Sequence, residues 1–145
     1  MAAFRFSLQQ VLDYRTQLED QAKVRFGRAK AEYLAAERRL HALQTHLAEQ
    51  EERLYAADTD FMERWLIEHY VRGLRDDIAH TSRMLHELAR IVEQARIELI
   101  ARAKERKVLD KFREKQAQRH AYEERLMERR TYDETASIRY KAAAF

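Results

Sequence analysis

Proline does not occur in this chain, and glycine occurs twice in 145 residues, at Gly27 and Gly73. These two residue types supply most of the punctuation by which a polypeptide changes direction. A chain that lacks them runs long elements and turns seldom. Charged residues make up 37% of the sequence, with alanine, glutamate, leucine and arginine prominent. That composition belongs to long helices and coiled coils rather than to a compact globule. The length allows at most one domain. Helices that cannot enclose a three-dimensional core must bury a seam instead.

From Ala22 onward the apolar positions follow a heptad. One series is Phe26, Tyr33, Leu40, Leu47 and Leu54; the other is Ala22, Ala29, Ala36 and Leu43, with Gln50 as a polar lapse. A second run steps through Leu74, Ile78, Thr81, Leu85, Leu88, Val92, Ala95 and Leu99. Sustained 3–4 spacing of this kind predicts a coiled-coil seam. Between the runs lies "YAADTDFMERW", where Asp60 followed by Glu63 gives a helix start, and Asp58 and Thr59 would cap nearly as well. The expected fold is all-α: a long antiparallel two-helix coiled-coil hairpin over 1–145 as a single domain. Helix 7–56, a turn at about 56–60 and helix 60–140 compose it, with a carboxyl-terminal helical overhang from about Phe112. This register sets Leu54 opposite Glu63, Leu47 opposite Tyr70, Tyr33 near Leu85 and Ala22 near Ala95. Gly73 is expected to kink the second helix, at a cost of about 1 kcal/mol relative to alanine. At the amino terminus, "FRFSLQQV" reads as a capping box of Ser7 and Gln10 with a hydrophobic staple of Phe6 and Val11.

Few chemistries fit such a chain. There is no cysteine, which excludes a disulfide framework and thiolate-bound zinc and suits a reducing compartment. No apolar run reaches membrane-spanning length, and the first residues lack the apolar stretch of a secretory signal. The two glycines stand too far apart for a phosphate-binding loop. His41 and His46 are five apart and His80 and His86 six apart, spacings that do not set two imidazoles on one helix face for a metal. Adjacent carboxylates such as Glu51–Glu52, Asp76–Asp77 and Glu123–Glu124 point to different sides of a helix. The expectation is a protein with no catalytic, metal or cofactor site and no small-molecule ligand.

Interaction surfaces are more visible. From residue 101 onward there are 13 Lys and Arg against 8 Asp and Glu, whereas the first hundred residues hold 15 against 17. The signs alternate in "DKFREKQAQRHAYEERLMERR", which reads as a solvated helix face; the rival reading is a nucleic-acid-binding helical arm. Phe61, Trp65 and Tyr70 crowd into ten residues with Met62, Leu66, Ile67, Val71 and Leu74 among them. A seam takes only two positions per heptad, so several of these lie outside it, folded on the turn or exposed as a patch for a partner. A homodimeric structural coiled coil is a further reading of the same heptads.

The start "FRFSLQQVLDYR" and the end "KVLDKFREKQAQRHAYEERLMERRTYDETASIRY" resemble the FliJ family of bacterial flagellar export proteins. The likeness rests on Phe4, Phe6, Leu8, Val11, Leu12 and Arg15 at one end and on Asp133 and Glu134 at the other, and it covers the whole chain. The sequence departs from relatives in Phe112, where leucine is usual, and in its basic carboxyl end. Stalk proteins of virulence type III secretion share the architecture and are the nearest alternative. The resemblance implies a non-enzymatic, cytoplasmic component of the flagellar type III export apparatus that serves motility and sits peripherally at the inner face of the cell membrane. It implies a central stalk for an export ATPase hexamer (FliI-like), contact with a membrane export gate (FlhA-like) and escort of substrate chaperones, with no nucleic acid among the partners. Tyr70 and Leu74, close after Trp65, match the family's gate-contacting pair. For the ATPase ring the expected residues are Phe4 and Phe6 at the start and Arg119, Arg125, Arg129 and Arg130 on the overhang.

Overall fold

Two helices account for nearly the whole described chain: α1, Gln9–Leu54, and α2, Phe61–Ala143. The computed structural model describes residues 2–56, 58 and 60–144. The fold is all-α, a hairpin of two long helices, the second longer than the first. The chain divides into two compact units, one of residues 20–100 and one of residues 1–19 with 101–145.

The unit of residues 20–100 contains the turn. Asp60 opens α2 as its N-cap: its Oδ1 accepts from the Phe61 N–H at 2.7 Å, and its carbonyl accepts from the Arg64 N–H at 2.8 Å. A capping carboxylate here satisfies an orphan donor and meets the positive end of the helix dipole. Of the other expected turn residues, Ala57 and Thr59 lie outside the described residues. The two helix segments then pack along the expected seam. Ala22, Ala29, Ala36 and Gln50 are buried from α1, and Leu74 and Thr81 from α2. Phe26, Tyr33, Leu40, Leu43, Leu47 and Leu54 are half-buried, as are Ile78, Leu85, Leu88, Val92, Ala95 and Leu99. Alanine disappears wholly because it is small, whereas a large side chain at a single seam overreaches its partner and keeps one edge in water. Ile67 and Val71, also buried, carry the 4–3 stepping of the second seam back toward the turn.

Polar contacts between the segments fix their antiparallel register. Arg53 meets Glu63 at 3.4 Å, Arg75 meets Glu51 at 3.0 Å, and Arg25 meets Glu98 at 2.9 Å. The first abuts the expected pair Leu54 and Glu63. The His46 and Tyr70 rings meet edge-on at 5.4 Å, next to the expected pair Leu47 and Tyr70. All three ion pairs are exposed and contribute about 0–1 kcal/mol each. They select the register; the seam supplies the stability.

Two expectations about local structure differ from what forms. The capping box does not close at Ser7. The first α-type bond runs from the Leu12 N–H to the Leu8 carbonyl, after a tight turn in which the Gln9 N–H donates to the Phe6 carbonyl at 3.1 Å. Nor does Phe6 staple to Val11, which is 41% exposed. Phe6 clusters instead with Leu12 and with Leu109 of α2, a larger apolar surface than a valine on its own helix offers. Gly73 lies inside α2, which runs through it as one continuous helix, and its backbone is not in the left-handed region.

A Cβ added at Gly27 or Gly73 would meet nothing within 4 Å. Both glycines lie inside helices where alanine loses less backbone entropy on folding. Gly27→Ala and Gly73→Ala should each raise stability by about 0.5–1 kcal/mol, read as a shift in the urea midpoint at constant m-value.

Candidate interaction surfaces

At the start of α2 the seam claims Ile67, Val71 and Leu74, and the remaining apolar residues turn outward. Phe61, Met62 and Leu66 are each more than half exposed, and Trp65 and Tyr70 nearly half. The Trp65 ring stands edge-on to His69 at 4.3 Å. Five large apolar side chains within ten residues thus stay open to water, and exposed apolar surface of this kind marks contact sites on soluble proteins. Tyr70 and Leu74 are neighbours on one helix face, yet they occupy different environments. Tyr70 lies on the rim against His46, while Leu74 is buried in the seam.

The unit of residues 1–19 and 101–145 is organised differently. Residues 2–8 are not helical; they lie as a strap on α2. Phe6 meets Phe112 edge-on at 5.9 Å, and Phe4 meets His120 at 5.6 Å. Phe6, Leu12 and Leu109 form a small buried cluster with Phe4 packed against it. Phe6 is therefore already occupied, and the Phe4 ring keeps only part of its surface open. The strap extends coverage of α2 past Phe112, so full exposure of the overhang begins only after Leu126. The four arginines expected at an ATPase are all exposed. Arg119 pairs with Glu123 at 3.6 Å and Arg125 donates to the Ala121 carbonyl at 3.4 Å. Arg125 and Arg129, four apart, share a face. Arg119 and Arg130, eleven apart, share another about three turns long.

In the same unit a layer of charge lies where apolar seam residues would be expected. Glu19 is 5% exposed, and its carboxylate accepts from the Arg106 guanidinium, which also donates to Asp110. One turn earlier Arg15 donates to the Glu105 carbonyl at 2.8 Å. The hydrogen bonds to Glu19, and then those to Asp110, hold the Arg106 pKa above the usual arginine value. Arginine suits the position because its planar fork satisfies two carboxylates at once.

Among the described residues no group of three His, Asp or Glu side chains is placed to hold a metal. A groove of about 620 Å³ beside the strap is lined by Ala2, His120, Met127 and Tyr132 among others. No helix is long and apolar enough, among the described residues, to cross a membrane. Comparison with protein families decides the relationship: the family model for the flagellar FliJ protein matches residues 4–144. The chain belongs to the FliJ family. It is a flagellar export protein, as the resemblance at its two ends implied. No curated protein and no solved structure matches it.

The FliJ match spans both units, so the charged layer lies within the family region. It was overlooked in the sequence reading, although the signal was present. Continuing the 3–4 stepping backward from Ala22 lands on Glu19, Arg15 and Leu12. A buried acid on one seam with a basic residue on the other is the signature of a polar layer that specifies register at some cost in stability. Arg106→Leu should lower the melting temperature more than Glu19→Leu, because it takes the guanidinium from a buried carboxylate, whereas after Glu19→Leu Asp110 still accepts from Arg106. The double substitution should restore or exceed it, and a thermal double-mutant cycle reads the coupling directly.

Proposed function

We propose that this FliJ-family chain acts as a non-enzymatic stalk and linker in the flagellar export apparatus, cytoplasmic and peripheral to the membrane. In this reading it engages an export ATPase hexamer through the carboxyl-terminal part of α2, from Arg119 onward, and an export gate through the aromatic residues near the turn, and it escorts substrate chaperones. The observation that carries the proposal is the division of surface chemistry. The unit of residues 20–100 offers an apolar patch around Trp65 and Tyr70, and the other unit offers an exposed helix bearing Arg119, Arg125, Arg129 and Arg130. Arginine forks recognise carboxylates, and a partner's acidic inner surface would match them. Phe4 and Phe6 serve this contact by holding the strap on α2.

Co-purification with the ATPase, with hydrolysis and ring assembly as readouts, tests the stalk. Exposed charge contacts are worth about 0–1 kcal/mol singly, so one substitution should be mild and reversal of all four arginines to glutamate severe. Truncation after Phe112 should abolish stimulation; an unchanged ATPase response would overturn the stalk.

The gate contact divides by burial. Trp65→Ala with Tyr70→Ala should weaken gate binding with little change in melting, leaving ATPase stimulation intact. Leu74→Ala should cost about 2–5 kcal/mol of stability, because it supports the patch from the seam. Gate binding unaffected by the loss of Trp65 and Tyr70 would remove the patch from this role.

A further inference from the structure

The lysines of the unit containing residues 101–145 are not scattered. Lys104, Lys107, Lys111 and Lys115 follow one another at steps of three, four and four, and so form one ridge along α2. All four are exposed, and none is in an ion pair. That distinguishes them from Arg102 and Arg106 on the same stretch, which are paired with Glu105 and with Glu19 and Asp110. At 100° per residue the ridge lies opposite Arg106 and Leu109, the residues that α2 turns toward the strap and the first turns of α1. Of the nearby acids, Glu105 and Asp110 lie off the ridge and Glu114 flanks it. Val108, 64% exposed, stands among the lysines, and Tyr122, 57% exposed, follows two turns after Lys115 on the same face.

We infer that this ridge binds an anionic phospholipid surface. The argument is one of charge complementarity and shape. Four lysines outside any ion pair, within about 17 Å of straight helix, present a row of positive charge that is bordered on one side by a single acid, Glu114. A lysine ammonium is a point charge without the fork that reads a carboxylate in a fixed geometry. A row of them suits a surface whose phosphates move laterally, where each adds about a fivefold gain in partition, corresponding to about 1 kcal/mol. Val108 and Tyr122 supply apolar and amphipathic side chains at the depth of the headgroups. A nucleic-acid duplex fits less well. The major groove admits one helix, and the opposite face of α2 is taken up by the strap and α1, while the ring between Lys111 and Lys115, Phe112, is already packed against Phe6 rather than free for a base to stack on. The inference goes beyond the stalk reading and is independent of the ATPase contact.

The test is co-sedimentation of the full chain with vesicles of phosphatidylcholine alone and with 30% phosphatidylglycerol, at low and at physiological salt. Binding is expected only with the anionic vesicles and should weaken with salt. The quadruple variant K104Q/K107Q/K111Q/K115Q should lose it by more than a hundredfold, and the corresponding lysine-to-arginine variant should keep it. A control, R102Q/R113Q/R130Q/K141Q, removes four cations from other faces of α2 and should leave most of the binding. Helicity by circular dichroism should match in all of them. Absence of binding to anionic vesicles, equal loss in the ridge and control variants, or tighter binding to duplex DNA at equal phosphate concentration would overturn the inference. ATPase stimulation, measured in parallel on the ridge variant, should be unchanged, which separates this result from the fate of the stalk reading.

Discussion

A pair of helices has a single seam, and everything else about this protein follows from how little that seam can hide. In the unit of residues 20–100, the α1 seam alanines Ala22, Ala29 and Ala36 are buried while the larger seam residues between them stay half open. Small residues let the backbones approach, and large ones fill the space beside them. Among the described residues most titratable groups stay exposed, and Glu19 of the other unit is withdrawn from water only with a guanidinium beside it. A member of the FliJ family built this way works by what its faces present.

The seam changes character in the other unit. There Glu19, Arg106 and Asp110 replace apolar residues, and Phe6, Leu12 and Leu109 restore an apolar cluster beyond them. An apolar layer tolerates sliding by a heptad, because one leucine resembles the next. A carboxylate buried at 5% exposure tolerates no slide, because every other register leaves it facing an aliphatic neighbour. The charged layer thus gives the pairing one admissible alignment. With that alignment set, the strap's phenylalanines arrive opposite Phe112 and His120.

Much of this was legible in the sequence, because seam burial is periodic and the period can be counted. The heptad positions from Ala22 to Leu54 and from Leu74 to Leu99 are withdrawn from solvent, Glu63 and Tyr70, set opposite Leu54 and Leu47, stay exposed, and Asp60 caps α2. What escaped were choices decided by neighbours distant in the chain. Ser7 and Gln10 have the right local pattern for a cap, but Phe6 is drawn to Leu109, and the helix opens a residue later. Trp65, Leu66, Ile67, Tyr70 and Val71 compete for the same seam positions, and local sequence does not rank them; the 4–3 step from Leu74 selects Val71 and Ile67. The alternating charges after residue 101 look mixed along the chain, and the lysine ridge emerges only when residues are sorted by face.

The pairings also differ in how much chain separates them. Arg53 and Glu63 are ten residues apart, Glu51 and Arg75 twenty-four, Arg25 and Glu98 seventy-three, and Glu19 and Arg106 eighty-seven. Closing a short loop costs less entropy than closing a long one, so pairing starts at the turn and zips outward. On the ribosome this order has a sharper meaning. Phe4, Phe6 and Leu12 are made about a hundred residues before Leu109 and Phe112, which cover them. At 5–20 residues per second, these apolar side chains wait roughly five to twenty seconds without their partners, far longer than the residues beside the turn.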